Sequence, residues 1–230
     1  MPTHAPHPLV VFDLDGTLVD SRLDLAESTN EMLETYGARP LPVDAVTRMV
    51  GEGAKKLVER ALAASALNPD EPTALDRFRA IYDRRLLVHT RPYEGIGEVI
   101  RTAAARAALA VLSNKPEAPT RRLLEAFNLA TAFTWVIGGD STFPRKPDPS
   151  GLRHLVRVAG STEATTLFVG DSMIDVETAR RAGVRMCVAQ YGFGDFRGEL
   201  TLSGDELIAA TPLAVGHAIE QFLQLATSPS

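Results

Sequence analysis

Five short apolar runs constrain this chain more than any other feature. The first, Leu9-Val10-Val11-Phe12, stops at Asp13. Similar runs occupy residues 109–112, 133–137, 166–169 and 185–189. Short runs of this kind read as strands buried on both faces of a parallel sheet. Helical patterns at residues 118–127, 151–159 and 173–182 separate the last four runs. Strands alternating with helices predict an α/β fold with a doubly wound, Rossmann-like parallel sheet.

The stretch between the first and second runs breaks this rhythm and is far longer than one crossover helix needs. Within it Ala54, Leu57, Val58, Ala61 and Leu62 recur at i, i+3, i+4, i+7 and i+8, one apolar face of a helix. Leu25, Met32, Leu33 and Tyr36 suggest a second helix, and Leu75, Phe78, Tyr82 and Leu86 a third. The expectation is an all-helical cap domain at residues 20–90, inserted into an α/β core made of residues 8–19 and 91–225. The linkers fall near Val19-Asp20-Ser21 and Thr90-Arg91-Pro92-Tyr93. Residues 1–7 and 226–230 read as flexible termini.

Composition narrows the function classes. A formal charge of -5 gives no global field for nucleic acid or an anionic membrane. No apolar stretch is long enough to span a bilayer, and residues 1–8 lack the hydrophobic run of a secretory signal. The single cysteine, Cys187, allows no intrachain disulfide and fits a reducing, cytoplasmic setting; within its strand it reads as a core thiol. Trp135 likewise reads as core. A monomer and a homodimer are both compatible with the sequence.

In an open α/β sheet, ligands bind beyond the carboxyl ends of the strands. Asp13 and Asp15 follow the first run, and Ser113, Asn114 and Lys115 the second. Gly170, Asp171, Ser172 and Asp175 follow the fourth, and Lys146 precedes a helix in Arg145-Lys146-Pro147-Asp148-Pro149. Clustered carboxylates repel, and a hard divalent cation removes that cost; oxygen-only donors select a magnesium-like ion. An ammonium and a hydroxyl suit phosphoryl oxygens. Together these are the parts phosphoryl transfer needs. Each also has a plainer reading. Residues 13–17 fit an Asx-turn loop, Asp171 a helix cap, Asp175 a solvated helix residue and Lys146 a surface lysine. Their occurrence together and in order favours chemistry.

Taken together, these motifs resemble the haloacid dehalogenase superfamily of phosphatases over nearly the whole chain. The residues that carry the resemblance are Asp13-Leu14-Asp15-Gly16-Thr17, Ser113, Lys146 before Pro147, and the acidic pair Asp171 and Asp175. The resemblance implies that Asp13 is a nucleophile forming an aspartyl-phosphate and that Asp15 is general acid, then base. It implies Mg2+ held by Asp13, the Asp15 backbone carbonyl and Asp171, with Asp175 behind them orienting waters or Lys146. Ser113 and the Asn114 N–H would hold phosphoryl oxygens, and Lys146 would offset charge. An aspartate at position 15 favours phosphoryl transfer over dehalogenation.

Residues 13–25, 50–62, 136–140 and 191–194 resemble phosphoglycolate phosphatases more closely. That implies 2-phosphoglycolate as the small phosphorylated metabolite, with Gly51, Glu52, Gly53 and Lys55 near it at the start of a cap helix. Free N–H groups there would suit the substrate carboxylate. On spacing alone the loop reads first as a plain helix start, Lys55 and Lys56 could equally face solvent, and Glu52 opposes an anion unless it points away. Arg48 and Arg60 are further candidates. Pyrophosphate, sugar phosphates and amino-sugar phosphates stay open as substrates. So does a phosphosugar mutase of the β-phosphoglucomutase type, which shares all four motifs.

Overall fold

The structure is a computed structural model that describes residues 7–194 and 205–227. The chain begins with β1 (Leu9–Phe12), all four residues fully buried, and then β2 (Val19–Asp20). Four helices follow: α1 (Arg22–Glu34), α2 (Val43–Thr47), α3 (Ala54–Ala64) and α4 (Ala74–Arg85). After β3 (Arg91–Pro92) come α5 (Ile96–Ala104), β4 (Ala108–Leu112), α6 (Glu117–Ala126), β5 (Trp135–Ile137) and α7 (Ser150–Val158). The chain then runs through β6 (Thr166–Gly170), α8 (Met173–Ala182), β7 (Arg185–Ala189), β8 (Leu207–Ala209) and α9 (Pro212–Thr227).

Six strands form one parallel sheet in the order β5-β4-β1-β6-β7-β8. Strand side chains alternate between faces, so each strand feeds two cores. Val10 and Phe12 join a cluster with α5, α6 and α9, whereas Leu9 and Val11 join one with α7 and α8. Burying such a side chain stabilises by about 1.5–3 kcal/mol, which is why the central strands are mostly apolar, with Thr166 opening β6 and exposed Arg185 opening β7. Successive strands leave β1 on the β4 side and return on the β6 side. The reversal opens a crevice between the carboxyl ends of β1 and β6, the place where this architecture binds ligands.

Residues 21–90 leave and re-enter through a two-stranded antiparallel ribbon, with Val19 opposite Pro92 and Asp20 opposite Arg91. The helices between pack on one another, α1 against α2, α3 and α4, and α3 against α4. Arg85 of α4 pairs with Glu27 of α1. Asp24, wholly buried on α1, accepts the His89 N–H at 2.9 Å, the Thr90 N–H at 2.7 Å and the Thr90 hydroxyl at 2.7 Å. A carboxylate with several donors satisfies its burial, and here it pins the returning strand to the first helix.

Three readings need adjustment. Trp135 is half-buried, because β5 is an edge strand. Residues 226 and 227 belong to α9. Most of the expected flexible termini, residues 1–6 and 228–230, lies outside the described residues. No helix among the described residues is long and apolar enough to cross a membrane.

Candidate active site

Asp13 is the first residue after β1, and its N–H bonds to Val169 O at 2.9 Å, so β1 and β6 fix its backbone together. Its carboxylate is buried, with Lys146 Nζ 2.7 Å from Oδ1. The same ammonium lies 2.6 Å from Oδ1 of Asp175, which is fully buried. Oδ2 of Asp175 accepts the Ser172 hydroxyl at 2.6 Å and the Ser172 N–H at 3.1 Å, as the inner residue of a capping box on α8. Ser172, not Asp171, is therefore the helix cap. Asp175 is not a solvated residue and Lys146 is not a surface lysine.

Asp171 follows β6 and accepts the Thr17 hydroxyl at 3.3 Å and the Phe193 N–H at 2.6 Å. Two glycines make room for it. Gly16 has φ +88°, and a Cβ there would lie 2.1 Å from Asp171 Oδ2. A Cβ on Gly192 would lie 2.3 Å from Gly16 O and 2.4 Å from Asp171. Tyr191 braces the same turn through its hydroxyl, 2.9 Å from Thr17 O.

One oxygen from each of Asp13, Asp171 and Asp175 lies within 4.8 Å of the others. Of these three buried carboxylates, Lys146 contacts Asp13 and Asp175. Burial pushes the Asp13 carboxyl up to about 6, against the pull of Lys146 and with the help of Asp175. Burial, then Asp175 and Asp13, hold Asp171 well above the usual carboxylate range. Burial disfavours the Lys146 charge, but Asp13 and Asp175 more than offset it and raise that group. Oxygen donors with unmet negative charge fit a hard divalent cation. Asp175 already gives both oxygens to Lys146 and Ser172, which leaves Asp13 and Asp171 as the better-placed ligands.

Asp15 is half-buried and held from two sides. Ser21 donates to Oδ1 at 2.6 Å, and Lys115 Nζ lies 3.0 and 2.8 Å from its two oxygens. Lys115 also donates to the Tyr82 hydroxyl of α4 at 2.8 Å. Ser113 is buried where β4 ends. The Asn114 side chain accepts the Lys146 N–H at 2.9 Å and donates to Lys146 O at 3.0 Å and Gly51 O at 2.9 Å. It thereby ties the lysine loop and the glycine loop to the end of β4.

These groups line one cleft of about 820 Å³, walled by Asp13, Asp15, Ser113, Asn114, Lys115, Lys146 and Asp171 on one side. Gly51, Gly53, Leu57, Phe78 and Tyr82 line the other. Glu52 and Lys55 do not line it. Glu52 pairs with Arg60, and exposed Lys55 and Lys56 both lie beside Glu59, because the first turn of α3 directs them outward. The Lys115–Tyr82 contact and the side-chain role of Asn114 have no counterpart in the sequence motifs. Their partners lie 33 and 32 positions away, beyond any local pattern.

A hydrolytic site built from strand-end carboxylates, a hydroxyl and a lysine has a match among known families. The chain belongs to the haloacid dehalogenase-like hydrolases, whose family model matches residues 10–189. It is an enzyme, a phosphoric monoester hydrolase. Over 192 residues it is 44% identical to phosphoglycolate phosphatase of Rhodospirillum rubrum, covering 80% of each chain. Over 194 residues it is 39% identical to phosphoglycolate phosphatase of Pseudomonas putida, covering 82% of this chain and 71% of the relative. A solved structure described as a predicted phosphoglycolate phosphatase from Haemophilus somnus aligns with a TM-score of 0.86 at 28% identity, covering 93% of this chain and 98% of that one.

Proposed function

We propose that this enzyme hydrolyses 2-phosphoglycolate to glycolate and phosphate in a magnesium-dependent reaction through an aspartyl-phosphate on Asp13. The observation that carries the reading is the buried Lys146–Asp13 contact at 2.7 Å, beside Asp171 and inside the cleft. Lys146 favours the ionised form of Asp13 and fixes its carboxylate in the cleft. The relatives named phosphoglycolate phosphatases support the substrate.

In this reading an Asp13 oxygen attacks phosphorus while the bond to the ester oxygen breaks. Asp15 gives its proton to the leaving alkoxide. Asp15 then takes a proton from the water that attacks the acyl phosphate, releasing phosphate and restoring Asp13. Ser113 and the Asn114 N–H hold phosphoryl oxygens, and Lys146 offsets their charge. Asp13, the Asp15 backbone carbonyl and Asp171 would hold Mg2+, which when bound weakens the repulsion between carboxylate and phosphate dianion. Asp175 acts by fixing Lys146.

We read residues 20–90 as a cap domain on a core of residues 8–19 and 91–225, with the β2–β3 ribbon as its hinge. Closure would exclude water from the acyl phosphate, and reopening would release product. Gly51 and Gly53 would set the width of the cleft near the phosphoryl end. The enzyme is read as a cytoplasmic protein, monomeric or homodimeric, acting on a small metabolite.

Phosphate release over a panel of 2-phosphoglycolate, pyrophosphate, hexose phosphates and amino-sugar phosphates tests this. The expected result is the highest kcat/KM for 2-phosphoglycolate, with magnesium required. A different leading ester would replace the substrate. Hexose-phosphate interconversion without phosphate release would place the chain with the mutases.

A further inference from the structure

We propose that Tyr82 and Lys115 form a carboxylate subsite that makes the cleft prefer phosphorylated acids over neutral phosphate esters; this rests on Asp15 being the general acid. Lys115 is buried just beyond β4, and Tyr82 reaches it from α4. An ammonium has no acceptor, so the Tyr82 oxygen accepts their hydrogen bond. The hydroxyl hydrogen of Tyr82 then has no acceptor among the described residues, although the side chain lines the cleft. A buried hydroxyl with an uncommitted hydrogen, beside a cation, suits an anionic acceptor.

Position selects which anion. Asp15 must reach the ester oxygen in order to protonate the leaving alkoxide. In 2-phosphoglycolate the carboxyl carbon is two bonds from that oxygen. Lys115, in contact with both oxygens of Asp15, is therefore the cation within reach of the carboxylate. The alternatives fit less well. Lys146 is committed to Asp13 and Asp175, and Lys55 and Lys56 lie outside the cleft. Arg79 and Arg145 line the cleft, but bond to Asp76 and to Gly139 O instead. Arg48, just past α2, lines it too, but forms no ion pair with Asp15, whose cation partner among the described residues is Lys115.

The subsite is also rigid. Phe78 stacks on Tyr82 at 5.7 Å and 9°, and Lys115 Nζ lies 4.7 Å from the Tyr82 ring centroid. A carboxylate would meet ordered donors in partly apolar surroundings, where hydrogen bonds are strong.

Tyr82→Phe keeps the ring and removes the hydroxyl. The readout is the ratio of kcat/KM for 2-phosphoglycolate to that for 2-hydroxyethyl phosphate, which is similar in length but lacks the carboxylate. The ratio should fall at least about tenfold in the variant, mainly through KM for 2-phosphoglycolate, as expected for one lost bond to a charged acceptor. A purely structural Tyr82 would lower both esters alike. An unchanged ratio, with or without such a fall, overturns the subsite and leaves the phosphatase reading standing. Equal turnover of the two esters by the wild-type enzyme, or turnover of neither, removes both the substrate assignment and the subsite.

Discussion

Asp13→Asn should stabilise the metal-free protein at neutral pH while destroying its activity. Burial pushes the Asp13 carboxyl from 3.8 up to about 6, with the Lys146 attraction already included. An acid raised in this way binds its proton more tightly in the folded state. Between pH 3.8 and about 6 the folded protein therefore holds more protons than the unfolded chain, and stability falls as pH rises through that window. At about 1.4 kcal/mol per pH unit, the loss is about 3 kcal/mol and is complete above the folded value. Asparagine cannot ionise and escapes the loss. In EDTA at about pH 8 the variant should exceed wild type by up to about 3 kcal/mol, or roughly 6–12 °C in Tm for a chain of this size. The gain should shrink to within about 1 kcal/mol near pH 4, below the window, and added magnesium should narrow it at high pH. Urea titrations at both pH values, with thermal melts, measure this. Equal stability at about pH 8, or a gain undiminished near pH 4, would refute the argument that charge crowding strains the site.

Chelation should abolish phosphate release and added Mg2+ restore it; release that survives exhaustive chelation would remove the metal from the account. Gly16→Ala, whose Cβ would lie 2.1 Å from Asp171 Oδ2, should lower kcat/KM at least about a hundredfold by displacing that carboxylate. Near-wild-type kinetics would show that the turn relaxes freely. Asp24→Asn replaces a buried acceptor of three donor groups with an amide that brings donors of its own. It should cost about 2–4 kcal/mol in urea titration, and a change under about 1 kcal/mol would contradict the pinning role. Burial pushes the Cys187 thiol up to about 12, so a thiol reagent should modify it only on unfolding; rapid labelling of the native enzyme would argue otherwise.

The sheet was legible because its central strands are buried on both faces and so carry unbroken apolar runs. Residues 13 and 113 could be placed for the same reason: each directly follows such a run, and residue 171 comes one glycine after another. β8 is a three-residue edge strand with Ile208 exposed, too short and too open to leave a pattern. α9 does carry a pattern, with Val215, Ala218, Ile219, Phe222 and Leu223 buried at i, i+3, i+4, i+7 and i+8. The apolar run on α4 marks Phe78 and Tyr82 as one buried face, but periodicity cannot tell that the Tyr82 hydroxyl meets Lys115. The helical side of the cleft, lined from α3 and α4, was the least legible. Whether Lys55 points inward depends on the direction of the first turn of α3, which the Gly51-Glu52-Gly53 loop sets. The buried position of Asp24 was likewise invisible, since its donors arrive from His89 and Thr90 across the whole helical segment.

The central claim is that Asp13 is the nucleophile. Acid-quenching the wild-type enzyme during turnover of 2-phosphoglycolate, followed by mass spectrometry of its peptides, tests this most directly. The account predicts a phosphoryl adduct on the peptide that contains Asp13, confined to that residue, and neither adduct nor turnover in Asp13→Asn. Turnover by Asp13→Asn at a rate near wild type, or an adduct on a different residue, would contradict it.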